Sequence, residues 1–429
     1  MRPALVVFFL AALPLQAQDL LPPEVLMLSR IRTHVKQALD HLPDCTCIET
    51  VSRFHKAAGQ DFKPIDTVVF QILFSGNKEL FTWPGETKWE DNPFTFVHSG
   101  MLGNGLFALH LRAIFSGNQS LIKYHGMEEP AGRTAARYDF SISRMMSGYT
   151  ITRGAVSGTV ASRGSFWADP ETYDLRRIEF HAEEIPVELL FSKINTAIDY
   201  ERVRVGENDV LLPQTADLST VDYDGSANRD LIEFTHCQAF HTETTLTFEP
   251  PPEPAADAPR AVPKPVAETA LPHDLRVVIA LTSPVTDHAT VGSLVEGKVA
   301  ANVTQKGQIL VPAGARVEGR VRRLEHHSDG KGSFILAIEF TQIETSTRIV
   351  RFYAGLEQSD PLDGVESQGA AAPANSFDNL RVNGQQIAYT SVHQVPGVGT
   401  FFINRLQFAL PAGFKTVWKT LPYRRSATP

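Results

Sequence analysis

What most constrains this chain is how seldom it leaves the pattern of a strand. The runs IDTVVFQILF, KELFTWP, RYDFSIS, YTITRG, GTVASRGSFWAD, DLRRIEFHAEE, AIDYERVRV and LIEFTHCQAFHTETTLTFE are rich in β-branched and aromatic residues, and most alternate apolar with polar. Successive side chains of a strand point to opposite faces, so alternation of this kind suits a sheet with one buried and one wet face. The turns between the runs carry Gly, Asn and Asp, as in FSGNKE, ADPETYD and VGENDV, which is hairpin chemistry. One large antiparallel sheet is therefore expected. Two segments break the alternation. In PPEVLMLSRIRTHVKQALDHLP, residues Val25, Leu28, Ile31, Val35, Leu39 and Leu42 recur at helical spacing between prolines, and in GLFALHLRAIF the residues Leu106, Phe107, Leu109, Leu111 and Ile114 form a second apolar stripe. Two helices should pack against the sheet, giving an α+β first part in a mainly β protein.

Strand patterning resumes in DLRVVIALT, LVEGKVAANVT, GQILVP, ARVEGRVRRLEH, GSFILAIEFTQIE, RIVRFYAGLE, QQIAYTSV, GTFFINRLQFALP and FKTVWKTL. Short strands at regular spacing with Gly and Pro between them predict a β-barrel or β-sandwich. The segment near 359–379, SDPLDGVESQGAAAPANSFDN, reads as a small-residue loop. Between the two parts lies EPPPEPAADAPRAVPKPVAETALP, whose Pro and Ala content cannot pack a core and predicts a semi-rigid linker. The expected division is 19–248, linker 249–272, and 273–425.

The opening MRPALVVFFLAALPLQAQ has a basic residue, a short apolar run and a small residue at Ala17, the pattern of a cleaved signal peptide over 1–18. The run is shorter than the ~20 residues of a bilayer span, and no later segment reaches that length. A secreted or periplasmic protein without a transmembrane segment in its mature chain is expected, in an oxidising compartment. The 429 residues carry a net charge of -8 with a pI near 6.0, so there is no basic footprint for nucleic acid.

The recognisable hydrolase, zincin and nucleotide-binding motifs are missing. PGVGTFF lacks a third glycine and reads as a turn, while GMLGNG, which precedes a helix and could in principle present backbone N–H groups to an anion, reads as loop-to-helix punctuation. DYDGSANRD clusters Asp222, Asp224, Asn228 and Asp230 without the spacing of a calcium loop, and reads as a hairpin turn. His326 and His327 with Asp329 read as an exposed hairpin tip, because neighbours on a strand cannot reach one ion together. No metal and no cofactor are expected. Glu86, Glu90 and Asp91 beside Trp83 and Trp89 are the residue types that hold and cleave sugars, and equally those of an acidic loop with two tucked rings. Cys45 and Cys47 in LPDCTCIETVSR depart from the C-x-x-C redox motif, and three cysteines fall short of a four-ligand metal site.

Stretches from LPDCTCIETVSR through FSGNKELFTWPGE and GSFWADPETYDLRRIEF to VLLPQTADL and FTHCQAF resemble a family of secreted acidobacterial proteins of unassigned function. The order of elements is also similar to the lipoprotein-carrier class of folds (LolA/RseB-like). That resemblance implies a strongly curved antiparallel sheet wrapped around helices, with a concave apolar face for acyl chains. In the second part, LTSPVTDHATVGSLVEGKVAANVTQKGQILVPAGARVEGRVRRLE resembles a segment of the C-terminal β domain of the TrbI/VirB10 conjugation proteins, in which a strand enters a Pro-Ala-Gly turn, here Pro312, Ala313 and Gly314, and a strand returns. It implies a β domain found in envelope proteins.

The signal peptide and the fold resemblance together imply a disulfide from the end of the first helix to Cys237. In the resembled family a cysteine precedes the Ile-Glu-Thr step, as Cys47 does here, so the pair implied is Cys47–Cys237, with Cys45 left over. The function expected is binding of a hydrophobic ligand, a lipid or an acylated protein, or scaffolding, without catalysis. The lining would include Phe70, Ile72, Phe74, Leu80 and Phe81, and the second domain would dock an envelope partner. A filled core explains the same residues. The alternatives are an extracellular glycosidase-like hydrolase using the carboxylates of Glu86 to Asp91, and a structural component of an envelope assembly.

Overall fold

The computed structural model describes residues 21–76, 78–97, 101–116, 120–154, 156–240, 266–327, 332–346, 348–368, 381–382, 385–386 and 397–422. The expected signal peptide at 1–18 lies outside them. Helix α1 (Pro23–Asp40) leads into β1 (Cys45–Lys56), β2 (Lys63–Ser75) and β3 (Lys78–Thr82). Helix α2 (Leu109–Phe115) is followed by β4 (Ser120–Glu128), β5 (Ala135–Ile142), the hairpin β6 (Thr150–Arg153) and β7 (Val156–Thr159), and β8 (Ala161–Ala168). The part closes with β9 (Leu175–Glu183), β10 (Phe191–Val205), β11 (Asn208–Asp222) and β12 (Ala227–Ala239). Ten of these strands make one antiparallel sheet in the order β3-β2-β1-β12-β11-β10-β9-β8-β5-β4. The protein is mainly β, as expected, with an α+β first part.

Each strand alternates as its sequence does. On β1, Cys45, Cys47, Glu49, Val51 and Arg53 point to one face and are buried. Opposite them stand Phe74, Ile72 and Phe70 of β2 and Ile232 and Phe234 of β12. Helix α1 starts with Pro at its first position, where no N–H is needed, and buries Ile31, Val35 and Leu39; Val25 stays exposed. Helix α2 is shorter than its stripe, because Gly105 takes a left-handed φ of 85° and the chain turns before Leu109.

The bridge Cys47–Cys237 is formed. A register shift makes it possible: Thr46 pairs with Gln238 and Ile48 with Thr235, so one residue of β1 faces two of β12, and His236 in that bulge has a φ of 52°. Cys45 is free and fully buried, which leaves it no use between chains in this state.

The second part begins inside the segment read as linker, where β13 (Val266–Ala270) pairs in parallel with β21 (Ile349–Arg351). In chain order it holds β14 (Arg276–Leu281), β15 (Val285–Thr286), β16 (Leu294–Val299), β17 (Val303–Gln305), β18 (Gln308–Val311), β19 (Arg316–His327) and β20 (Ser333–Glu344). Beyond β21 come β22 (Ala354–Ser359), β23 (Val365–Gln368), β24 (Arg381–Val382), β25 (Gln385–Gln386), β26 (Val398–Ile403), β27 (Ala409–Leu410) and β28 (Lys415–Thr420). The main sheet runs β13-β21-β20-β19-β16-β14-β28-β22, and β26 joins it by pairing with both β20 and β23. Because β22 also lies against β23 and β26, the sheet curls toward closure around Trp418, Phe340 and Phe401. Strand β23 sits within the segment read as a loop. Pro312 to Gly314 do form a turn, with Gly314 at a φ of 85°, but the strands beside it do not pair with each other: β18 pairs with β17, while β19 pairs with β16 and β20.

One contiguous core runs through both parts. Strand β3 covers only residues 71–75 of β2, which leaves the rest of that edge open. Val291 fills part of it: the Val69 N–H donates to Val291 O at 3.1 Å and the Val291 N–H to Thr67 O at 2.8 Å. Beside it Gly292, at a φ of 99°, lies under the Trp83 ring, and a Cβ there would stand 2.6 Å from two ring carbons. Arg320 donates to Pro84 O at 3.0 Å and to Gly292 O at 2.9 Å, and Arg322 lies over the Trp83 ring at 5.5 Å.

Three outcomes are expected. Gly292→Ala should destabilise the protein by about 1–3 kcal/mol through overpacking on Trp83, measured by urea denaturation followed by tryptophan fluorescence. Non-reducing peptide mapping should recover Cys47 joined to Cys237. Opening that bridge with Cys47→Ala should cost up to about 5 kcal/mol in the chain-entropy account of a loop of 190 residues.

Candidate functional site

The residues expected to line a ligand cavity pack instead against one another. Phe70, Ile72, Phe74 and Phe81 are each at most 3% exposed. Phe70 stacks on Trp83 at 5.3 Å and meets Phe81 and Phe96 edge-on at 5.8 and 5.9 Å. Phe74 stacks on Phe107 at 6.0 Å, and Phe107 meets Phe234 edge-on at 5.1 Å. Leu80 does not belong to this group. It pairs with Leu73 on the other face, since neighbours on a strand point opposite ways.

Three acids stand at or beside this interior, and the spacing of apolar residues gave no sign of two of them. Glu79, next to Phe81 on β3, accepts the Gly105 N–H at 2.6 Å and the Phe107 N–H at 2.8 Å. The GMLGNG loop thus presents backbone N–H groups to an anion, as its glycines allow, and the anion is a carboxylate of the same chain. Desolvation raises the Glu79 pKa and the loop amides pull it down. Glu49, 2% exposed between Phe70 and Phe234, has one carboxyl oxygen with no hydrogen-bond partner among the described residues. Burial, with Glu79 and Asp230 adding repulsion, raises its pKa well above 4.5, so it is held as the neutral acid. Asp230 lies across from Arg53, whose guanidinium grips Asp66 through two bonds of 2.6 and 2.5 Å; burial pushes Asp230 up to about 8 despite that arginine. On α2, His110 lies 4.7 Å from Phe180 and 5.4 Å from Tyr149, and burial lowers its pKa to about 4, keeping the ring neutral.

The carboxylates of WPGETKWEDNPF do not converge. Glu86 pairs with Arg320 at 3.1 Å, Glu90 pairs with Lys88 at 2.5 Å and its backbone bridges to Phe81, and Asp91 is exposed. Trp83 is buried between Phe70 and Arg322, and Trp89 meets Phe240 edge-on at 6.4 Å. The rings therefore serve the core and the junction, and among the described residues the acids of this segment do not face them as a pair across a cleft. His326 and His327 are half-buried where an exposed tip was expected: His326 stacks on Phe334 at 4.6 Å and His327 lies 3.4 Å from Glu325, while Asp329 falls outside the described residues. In DYDGSANRD, Asp222 takes Arg153 at 2.9 and 3.0 Å and Asp224 caps the turn at Ser226. Among the described residues no cluster of three or more His, Cys, Asp or Glu could hold a metal ion, and no helix is long and apolar enough to cross a membrane.

Two concavities open at the surface. A trough of about 1160 Å³ lies on the polar face of the first sheet, and a groove of about 460 Å³ lies at the junction, lined by Arg53, Asp66, Asp287, His288 and His326 among others.

No protein-family model matches the chain, and no curated protein does. Among solved structures, the chain is similar to a LolA superfamily protein from Nitrosomonas europaea, at 11% identity and a TM-score of 0.26 over 49% of this chain and 94% of that one. It is similar to a putative outer membrane lipoprotein-sorting protein domain from Vibrio parahaemolyticus, at 11% identity and a TM-score of 0.27 over 52% and 95%. A DUF1329 family protein from Desulfovibrio piger gives the same identity, TM-score and coverage as the Vibrio domain.

The neutral Glu49 has a consequence for stability. An acid whose folded pKa is raised lends stability that is fully present below its unfolded pKa, near 4.5, and is lost as pH climbs through the folded value. Glu49→Gln should therefore match the wild type below about pH 4.5 and exceed it increasingly as pH rises above that value, read as denaturation midpoints across a pH series.

Proposed function

We propose that this is a non-catalytic binding protein of the cell envelope whose first sheet takes a hydrophobic ligand, either a lipid or the acyl chain of a modified protein. The observation that carries the reading is how the interior is closed. Residues 101–108 plant Phe107 between Phe74 and Phe234, and two backbone bonds to Glu79 anchor the loop on the sheet. The helix that follows is only seven residues long and has no side-chain cap. Displacing this one loop would exchange an aromatic ring for a ligand's apolar chain on an otherwise intact inner face. The bridge between Cys47 and Cys237 suits an oxidising compartment, and the second part would serve docking or assembly there.

The closed, filled interior also favours a second reading, in which the protein is a scaffold that joins envelope components and carries no ligand. One pair of measurements separates the two. Native mass spectrometry of protein purified from its own envelope should show a co-purified lipid. Phe107→Ala, which vacates the ring's volume at a cost of about 3–5 kcal/mol, should bind a fluorescent fatty-acid probe at least tenfold more tightly than the wild type. No lipid and no probe binding by either protein would leave the scaffold.

A further inference from the structure

Glu49 stands on the inner face of β1 with an aromatic residue on each side, opposite Phe70 of β2 and Phe234 of β12. It is 2% exposed, and its Oε2 has no hydrogen-bond partner among the described residues. Native folds seldom bury a polar atom unpaired, because the atom gives up its bonds to water and gains none in return. Other polar groups of this interior are engaged: Glu79 accepts the amides of Gly105 and Phe107, and Arg53 is gripped by Asp66. Asp230 also keeps an unpaired oxygen, but it lies across from Arg53 and has a cation to face. Glu49 has rings in that place.

Register fixes where Glu49 stands relative to Phe107. That ring stacks on Phe74, which lies opposite Cys45, and meets Phe234, which lies opposite Glu49. The slot it fills therefore spans the levels from Cys45 to Glu49, about 13 Å of strand, with Glu49 at one end. Burial and the repulsion of Glu79 and Asp230 hold the Glu49 carboxyl as the neutral acid, which carries an O–H to donate.

We propose that Glu49 recognises the head of the ligand, donating a hydrogen bond to the uncharged carbonyl oxygen of an acyl ester or acyl amide whose chain takes the place of the Phe107 ring. Glu49 can do this only where the first sheet takes a hydrophobic ligand, so the role rests on that reading and narrows the ligand to a class. A bare hydrocarbon would leave Oε2 unpaired. A free carboxylate would bring another negative charge toward Glu79 and Asp230, the groups that already repel Glu49. A carbonyl oxygen accepts the proton donor and adds no charge, and ester and amide links are how acyl chains are joined to glycerol lipids and to acylated proteins alike.

The test titrates the full chain, in the wild-type and Phe107→Ala backgrounds, with three fluorescent probes: parinaric acid methyl ester, parinaric acid, and diphenylhexatriene, a hydrocarbon with no carbonyl. At neutral pH the ester should bind about tenfold more tightly than the free acid. Glu49→Met should lower the ratio of ester to hydrocarbon affinity about tenfold, as the loss of one buried hydrogen bond does, while Glu49→Gln, whose amide still donates, should keep it within about twofold. A diacylglycerol that displaces the bound ester would make the source a lipid, and a diacylated lipopeptide that alone displaces it would make the source an acylated protein; displacement by neither would overturn the ligand class, as would equal binding of the free acid and the ester. An unchanged ratio in Glu49→Met, or an equal fall in Glu49→Gln, would overturn the role of Glu49 and leave the hydrophobic-ligand reading standing. Binding of no probe in either background would end both.

Discussion

Strand β1 is the constraint on which the first part depends, because it pairs with its near neighbour β2 on one side and with β12 on the other. The second pairing brings together residues some 190 positions apart, and loop closure of that length must be offset before any contact rewards it. Three things offset it here: a ladder running from Cys45–Ala239 to Lys56–Ala227, an apolar inner face shared by three strands, and the covalent tie of Cys47 to Cys237. The bulge that aims Cys237 at Cys47 sits at one end of that ladder and the buried Arg53–Asp66 pair toward the other.

The same strand carries the polar exceptions of the core. A buried charge is tolerated only when it is paired and hydrogen-bonded. Arg53 and Asp66 satisfy that rule with a bidentate pair, and Glu79 is served by the amides of the loop above it. Glu49, between Phe70 and Phe234, has one oxygen without a hydrogen-bond partner among the described residues, and burial favours its neutral form. The loop that plugs the interior and the acid left over within it therefore share one small region, which is why the proposed binding function is placed there.

The two parts are joined by backbone geometry as much as by side chains. The short β3 leaves an edge of β2 open, Val291 fills it, and Gly292 allows the close approach to Trp83 that a side chain would block. Arg320 and Arg322 then take up carbonyls and the ring face from the other side. Of the acids and tryptophans around residues 83–91, Glu86 and Trp83 are engaged in this joint by Arg320 and Arg322.

Some of this was legible in the residues alone. Alternation and helical spacing depend on neighbours a few positions apart, so the β-rich architecture and helix α1 could be read directly; the turn at Pro312–Gly314 and the cysteine pair came from resemblances. What could not be read depends on which strands meet. Leu80 shares a strand with Phe81, and only the register shows that it faces away. Glu86 has the residue type of a catalytic acid, and only the fold places Arg320, more than two hundred residues later, beside it. The polar alternate positions of eight strands are unremarkable one by one, and only the strand order lays them side by side as a trough. Sequence by itself determined which residues could share a face; tertiary structure decided which faces meet, because pairing between distant strands is selected by the packing of the whole sheet and leaves no local periodicity to read.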